Sequence, residues 1–248
     1  MSSNFETGHA KNVANFSSLT AYCTSYGTDY NPSNSDITLE ELSRIQTDAQ
    51  NAVRAVNASL PAYNTAIAAR EIVFEPVSKL LTRVVNALKS SGATQALVNN
   101  AKTIVRKLQG RRKTPKLTEE EKQELKAEGK EVNEISASQH SFDSRIDNFD
   151  KLINLLTAIP EYSPNETELQ VSSLSTLLGE LRSKNDAVVM AAAPLSNARI
   201  TRNELLYNEG DGLVDIAQDV KSYVKSLYGG TSPQYRQISG LEFRRIKN

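Results

Sequence analysis

One apolar stripe, stepped alternately by three and four residues, constrains this chain more than any other feature. It runs Leu39, Leu42, Gln46, Ala49, Val53, Val56, Leu60, Tyr63, Ile67, Arg70, Phe74. A second stripe of the same kind runs Val171, Leu174, Leu178, Leu181, Asn185, Val188, Ala192, Leu195, Arg199, Arg202, Leu206. Sustained 3/4 spacing puts such side chains on one face of a helix, as in a bundle or coiled-coil seam. Each run is about 36 residues, or ~54 Å at ~1.5 Å per residue. Pro61 and Pro194 fall inside the runs, yet the phase passes through both. Two separate helices would have no reason to keep register, so the spacing predicts one long helix in each case, kinked where proline removes a donor and crowds a carbonyl.

The two runs match beyond the stripe. Tyr30-Asn31-Pro32 aligns with Tyr162-Ser163-Pro164, and Arg70 with Arg202. Upstream, Asn15-Phe16 and Leu19 align with Asn148-Phe149 and Leu152. Downstream, after a four-residue insertion, Val77, Leu80, Val84 and Leu88-Lys89-Ser90 align with Leu213, Ile216, Val220 and Val224-Lys225-Ser226. A period of roughly 130 residues is far longer than solenoid repeats. The predicted fold is therefore all-α: an elongated tandem of two duplicated antiparallel helical bundles with long kinked helices. The domains read as 1–109, the first bundle; 110–134, a basic linker and acidic helical extension; and 135–248, the second bundle with a C-terminal arm.

Helices are predicted at 9–26, 39–74, 77–91, 94–108, 118–159, 171–206 and 213–228. Asp36 or Ser35 should cap the first long helix, and Asp211 the helix that begins at Leu213. Thr118 and Glu121 form a capping-box pattern. After Gly229-Gly230 the tail should be an extended or short helical arm on the bundle.

Composition narrows function mainly by exclusion. Lys plus Arg and Asp plus Glu are 29 each, so the formal net charge is zero and no global field favours nucleic acid or an anionic surface. The single cysteine, Cys23, rules out a disulfide framework. No apolar run approaches the ~20 residues of a membrane span, and no leader pattern is present, so a cytoplasmic protein is expected. Phosphate loops, His-Glu-x-x-His, Gly-x-Ser-x-Gly and dinucleotide fingerprints are missing. No enzyme activity, cofactor, metal or small-molecule substrate is expected.

Four features could carry chemistry. Arg70, Arg199 and Arg202 lie on stripes that are otherwise apolar, where a charge is costly unless paired. They read either as an anion site or as register-fixing ion pairs, with Glu71, Glu204 or Asp215 as candidate partners. Lys102, Arg106, Lys107, Arg111, Arg112, Lys113 and Lys116 form an acid-free basic stretch. It could contact nucleic-acid phosphates, but no aromatic side chain interleaves for stacking, and a solvated linker is the simpler reading. Asn208, Asp211, Asp215 and Asp219 lack EF-hand spacing. His9 and His140 have no ligand cluster beside them and read as solvated or capping residues.

The segments Phe142-Asp143-Ser144-Arg145-Ile146-Asp147-Asn148-Phe149, Tyr162-Ser163-Pro164-Asn165-Glu166, Ser196-Asn197-Ala198-Arg199 and 220–226 together resemble a family of uncharacterised bacterial proteins with the same duplicated helical pattern. The resemblance implies the fold and brings no activity or site with it. The function expected is a non-enzymatic scaffold or protein-interaction protein whose partner is another protein or a second copy. The alternatives are a nucleic-acid-binding protein using residues 102–116 and a membrane-active helical protein.

Overall fold

A computed structural model describes residues 4–110, 123 and 141–246, and the described residues form an all-α fold without strands. The helices are α1 Asn4–Ser25, α2 Leu39–Phe74, α3 Val77–Ser90, α4 Gln95–Leu108, α5 Phe142–Thr157, α6 Val171–Tyr207, α7 Leu213–Tyr228 and α8 Pro233–Ser239. Residues 111–122 and 124–140, which include most of the basic stretch, the Thr118 capping pattern and His140, lie outside the described residues.

Both long helices are continuous through their prolines. Their predicted faces hold as well. On α6, Leu174, Leu178, Leu181, Asn185, Val188, Leu195, Arg202 and Leu206 are buried. On α2, Leu42, Ala49, Val56 and Phe74 are buried, with Leu60, Tyr63, Ile67 and Arg70 half-buried between them.

The start of α2 is set by Thr38, which stands extended at ψ 156 and accepts the Glu41 amide on its hydroxyl. Asn34, and neither Asp36 nor Ser35 as predicted, caps the short 3-10 turn before it by accepting the Asp36 amide at 2.9 Å. The Thr38-x-x-Glu41 pattern is itself a legible capping signal. α7 starts at Gly212 rather than being capped by Asp211, which instead accepts from Asn208. A Cβ on Gly212 would stand 2.6 Å from the Asn208 carbonyl oxygen, so the tight turn demands glycine there. The predicted helix over 118–159 is interrupted: Ser141 is extended at ψ 148 and caps α5 by accepting the Ser144 amide at 3.1 Å.

A clasp precedes each long helix. The buried Tyr30 hydroxyl donates to the Ile37 carbonyl at 2.7 Å, and Tyr162 does the same to Leu169 at 2.7 Å, each seven residues on.

The chain forms two compact units, and these cut across the sequence segments read as domains. Unit 1 comprises Met1–Tyr63 and Ala191–Asn248; unit 2 comprises Asn64–Met190. The first core packs Val13, Phe16, Leu19, Leu42 and Ala49 with Leu206, Leu213, Ile216, Val220, Val224 and Ile238. The second packs Phe74, Val77, Leu81 and Val84 with Phe149, Leu152, Leu156, Leu174, Leu178 and Leu181, closed over by Val98, Ala101, Val105 and Leu108 of α4. Each core therefore joins side chains from both halves of the sequence. The reason is geometric: an unbroken 36-residue helix cannot return to its own first turn, and its two ends enter different cores.

Neither 1–109 nor 110–248 holds a whole core. Each fragment alone should lack a cooperative thermal transition by circular dichroism, and mixing the two should restore one. A monomeric 1–109 that melts cooperatively would contradict this arrangement.

Cys23 is fully buried in unit 1, and burial pushes its thiol from 9.0 up to about 12 against a smaller opposing hydrogen bond from Tyr30. A folded-state value above the unfolded one stabilises the fold below pH 9.0 and loses that contribution as pH rises toward 12. Native protein at pH 8 should not react with a disulfide reagent, and one thiol should appear on unfolding.

Candidate functional site

The seam arginines fall in different units. Arg70 belongs to unit 2, whereas Arg199 and Arg202 belong to unit 1. Arg199 is exposed on α6.

Around Arg70, α2, α5 and α6 place a mixed polar and aromatic knot. The Arg70 Nη1 donates to the Asn185 Oδ1 at 3.1 Å, and the Asn185 Nδ2 donates to the Asp143 Oδ1 at 2.8 Å. The guanidinium lies 3.7 Å from the centroid of Phe142, which meets Phe74 edge-on at 4.8 Å and 80°. Arg145, singled out by no sequence feature, places its guanidinium 4.7 Å over Phe74. It also makes a long contact of 3.5 Å to the Phe74 carbonyl, one of the carbonyls that the end of α2 leaves unpaired. Burial lowers the Arg145 pKa from the ordinary arginine value, and an arginine so placed keeps its charge.

The partner of Arg70 is thus an amide and a ring face, where a carboxylate was expected. Its charge reaches Asp143 only through the Asn185 amide. The Arg70 Nε is buried with no acceptor, while the face of Phe142 attracts the cation, an interaction worth about 0.5–2 kcal/mol.

In unit 1 the Arg202 side chain is 2% exposed, and its Nε and Nη2 both donate to the Asn203 Oδ1, at 3.1 and 2.9 Å. His9, read from sequence as solvated or capping, is instead buried, with its Nδ1 2.7 Å from the Tyr207 hydroxyl. Asn12 donates to the same hydroxyl at 3.2 Å.

A further set of functional-looking contacts lies along the C-terminal arm, whose register sequence reasoning left open. Beyond α8, residues 241–246 carry no regular secondary structure and hydrogen-bond to α1 and α7. The buried Asn12 carboxamide pairs with both backbone groups of one arm residue: it donates to the Arg244 carbonyl at 2.8 Å and accepts the Arg244 amide at 3.1 Å. Asn15, one turn on, donates to the Glu242 carbonyl at 2.7 Å. Phe243 meets Phe16 edge-on at 6.5 Å, with the Lys221 ammonium 5.3 Å above its ring. Arg245 donates to the Tyr207 carbonyl and to Asp215. Asp215 titrates below 3.8, chiefly because the Gly210 amide donates to it and further because of Arg245. That accounts for part of the acidic group at 208–219, and among the described residues no group of ligand-type side chains could hold a metal ion.

The basic stretch is described only through its first three members. Lys102 and Lys107 are exposed and Arg106 half-buried on α4. Arg106 and Lys107 sit in the last turn of α4, where cations oppose the helix dipole. Arg111, Arg112 and Lys113 lie outside the described residues.

Comparison with protein-family models, curated proteins and solved structures finds no match.

Removing Arg70 should therefore cost less than breaking a buried ion pair, which is worth about 3–5 kcal/mol. Arg70→Met should destabilise by about 1–2 kcal/mol, the usual cost of leaving the buried Asn185 oxygen unpaired. Arg70→Met with Asn185→Leu should recover most of that loss in a urea-denaturation cycle. Additive losses in the double variant would show that the two side chains are not coupled.

Proposed function

We propose that the chain is a non-enzymatic helical scaffold built from a duplicated unit, and that it acts by binding another protein or further copies of itself. The observation that carries this reading is the exposure of Val189 and Met190 at 62% and 75% on the long helix α6. One stripe of α6 is already spent on the cores, so these two neighbours face water on a helix that has no further cover within the described residues. Ile200, on the same helix, is 53% exposed, and Ile72, near the end of α2, is 68% exposed. Isolated apolar side chains on a surface are ordinary. Contiguous exposed apolar surface marks docking sites, and Val189 and Ile200, about three turns apart, return to the same side of α6.

The nucleic-acid reading rests on Lys102, Arg106 and Lys107 at the end of α4 and on the basic residues that follow them. No helix among the described residues is long and apolar enough to cross a membrane.

Light scattering across a concentration series separates these readings. Association that rises with concentration, and is lost in Val189→Glu/Met190→Glu, is the expected result. A chain that stays monomeric throughout and retains no protein when immobilised would end the scaffold reading. Heparin retention that falls steeply between ~50 and ~200 mM salt, and disappears when Arg106, Lys107, Arg111, Arg112 and Lys113 become Gln, would favour nucleic acid instead.

A further inference from the structure

We propose that the surface between α1 and α7 in unit 1 is a docking groove for an extended peptide segment, and that residues 241–246 occupy it as an internal stand-in for a partner's segment. The inference rests on the interaction reading above and names where on unit 1 such a partner would bind.

The manner of contact supports it first. Asn12 and Asn15 stand one turn apart on α1 and reach the main chain of residues 244 and 242. A carboxamide that both donates to and accepts from a single residue copies the pairing of a neighbouring strand. Alternate residues of an extended chain present their groups to the same side, which matches this spacing. Contacts of this kind read backbone and tolerate many sequences, the principle on which strand-type peptide recognition works.

Side-chain contacts then define the partner's chemistry. An aromatic group fits where Phe243 lies, between the edge of Phe16 and the ammonium of Lys221. A cation fits two positions on, where Arg245 meets Asp215 and the Tyr207 carbonyl. An apolar side chain fits next, over Gly8, where a Cβ would collide with the Ile246 side chain. The segment is thus aromatic, any residue, basic, apolar, in extended form.

The arm also buries little side-chain surface for a structural element. Leu241, Phe243 and Ile246 are only half-buried, and Glu242, Arg244 and Arg245 are exposed. In unit 2 the helix that closes over α3 and α5 is α4, which buries Val98, Ala101, Val105 and Leu108. In unit 1 the last residue of the cover to be fully buried is Ile238 of α8, before the arm begins. Segments with few buried contacts open at low free energy, and an internal occupant lowers the apparent affinity for a competitor by the fraction of time it sits in the groove.

The test uses the full chain and a fluorescein-labelled peptide, Ser-Gly-Leu-Glu-Phe-Arg-Arg-Ile, read by fluorescence anisotropy. Phe243→Asp/Ile246→Asp releases the arm, and this variant should bind the peptide at least about tenfold more tightly than the wild type, as removal of an internal competitor requires. Adding Asn12→Ala and Asn15→Ala to the released variant should abolish the gain. Equal binding by wild type and released variant, or binding indifferent to Asn12 and Asn15, overturns the groove. If the released variant does not fold, Phe243→Ala/Ile246→Ala, which loosens the arm and leaves the groove residues intact, takes its place. Hydrogen exchange on the wild type gives an independent measure: amides of 241–246 should exchange many times faster than those of α7, and equal protection overturns the proposal. Self-association sensitive to Val189 and Met190, together with no peptide binding, would leave the scaffold reading standing and remove only the groove.

Discussion

A rigid helix cannot fold back on itself, and most of this architecture follows from that limit. α2 and α6 run unbroken for 36 and 37 residues. Leu42 and Ala49 of α2 enter one core and Phe74 the other; Leu174, Leu178 and Leu181 enter the second core and Leu206 the first. Once the helices hold through Pro61 and Pro194, neither half of the sequence can close a core by itself. The proline cost, about 3 kcal/mol in a helix interior, is set against the apolar side chains ordered at both ends, each worth about 1.5–3 kcal/mol when fully buried.

Local structure was largely legible in the chain. The limits of α2 and α7 follow from Pro76 and Gly212, and the buried positions of α6 follow from the 3/4 stepping. Which stripes meet was not legible, for a physical reason. Two similar seams, Leu39 to Phe74 and Val171 to Leu206, complement one another as well as each complements its own flanking helices. Periodicity alone cannot distinguish pairing within a half from pairing between halves. Contiguous domains were the default assumption, and the cores instead mix the halves.

The polar sites show a different limit. A charge on an apolar stripe was sound grounds for selecting Arg70, but charge bookkeeping pointed to carboxylates as its partners. A ring face and a relayed amide supply the compensation instead, and both depend on how α5 is placed. Arg145 was invisible because it lies off the seam, and its role comes from the end of another helix. His9 looked solvated because nothing near it in sequence could partner it; Tyr207 is far along the chain and near only in the fold. The arm was foreseen as a segment, yet its register depends on two asparagine amides on α1, and no hydrophobic pattern encodes those.

The exchange of halves between the cores also governs the order of events during synthesis. Phe16, Leu19 and Leu42 leave the ribosome long before Leu206, Leu213 and Val220, the residues that cover them. At roughly 5–20 residues per second, more than 150 residues of delay leave that apolar surface without its cover for on the order of ten seconds. The clasps of Tyr30 and Tyr162 close over only seven residues, so each long helix can have its start fixed within about a microsecond of emerging, as loops that short close. The nascent chain would then carry well-started helices with half-built cores, a species suited to capture by chaperones that hold exposed apolar surface.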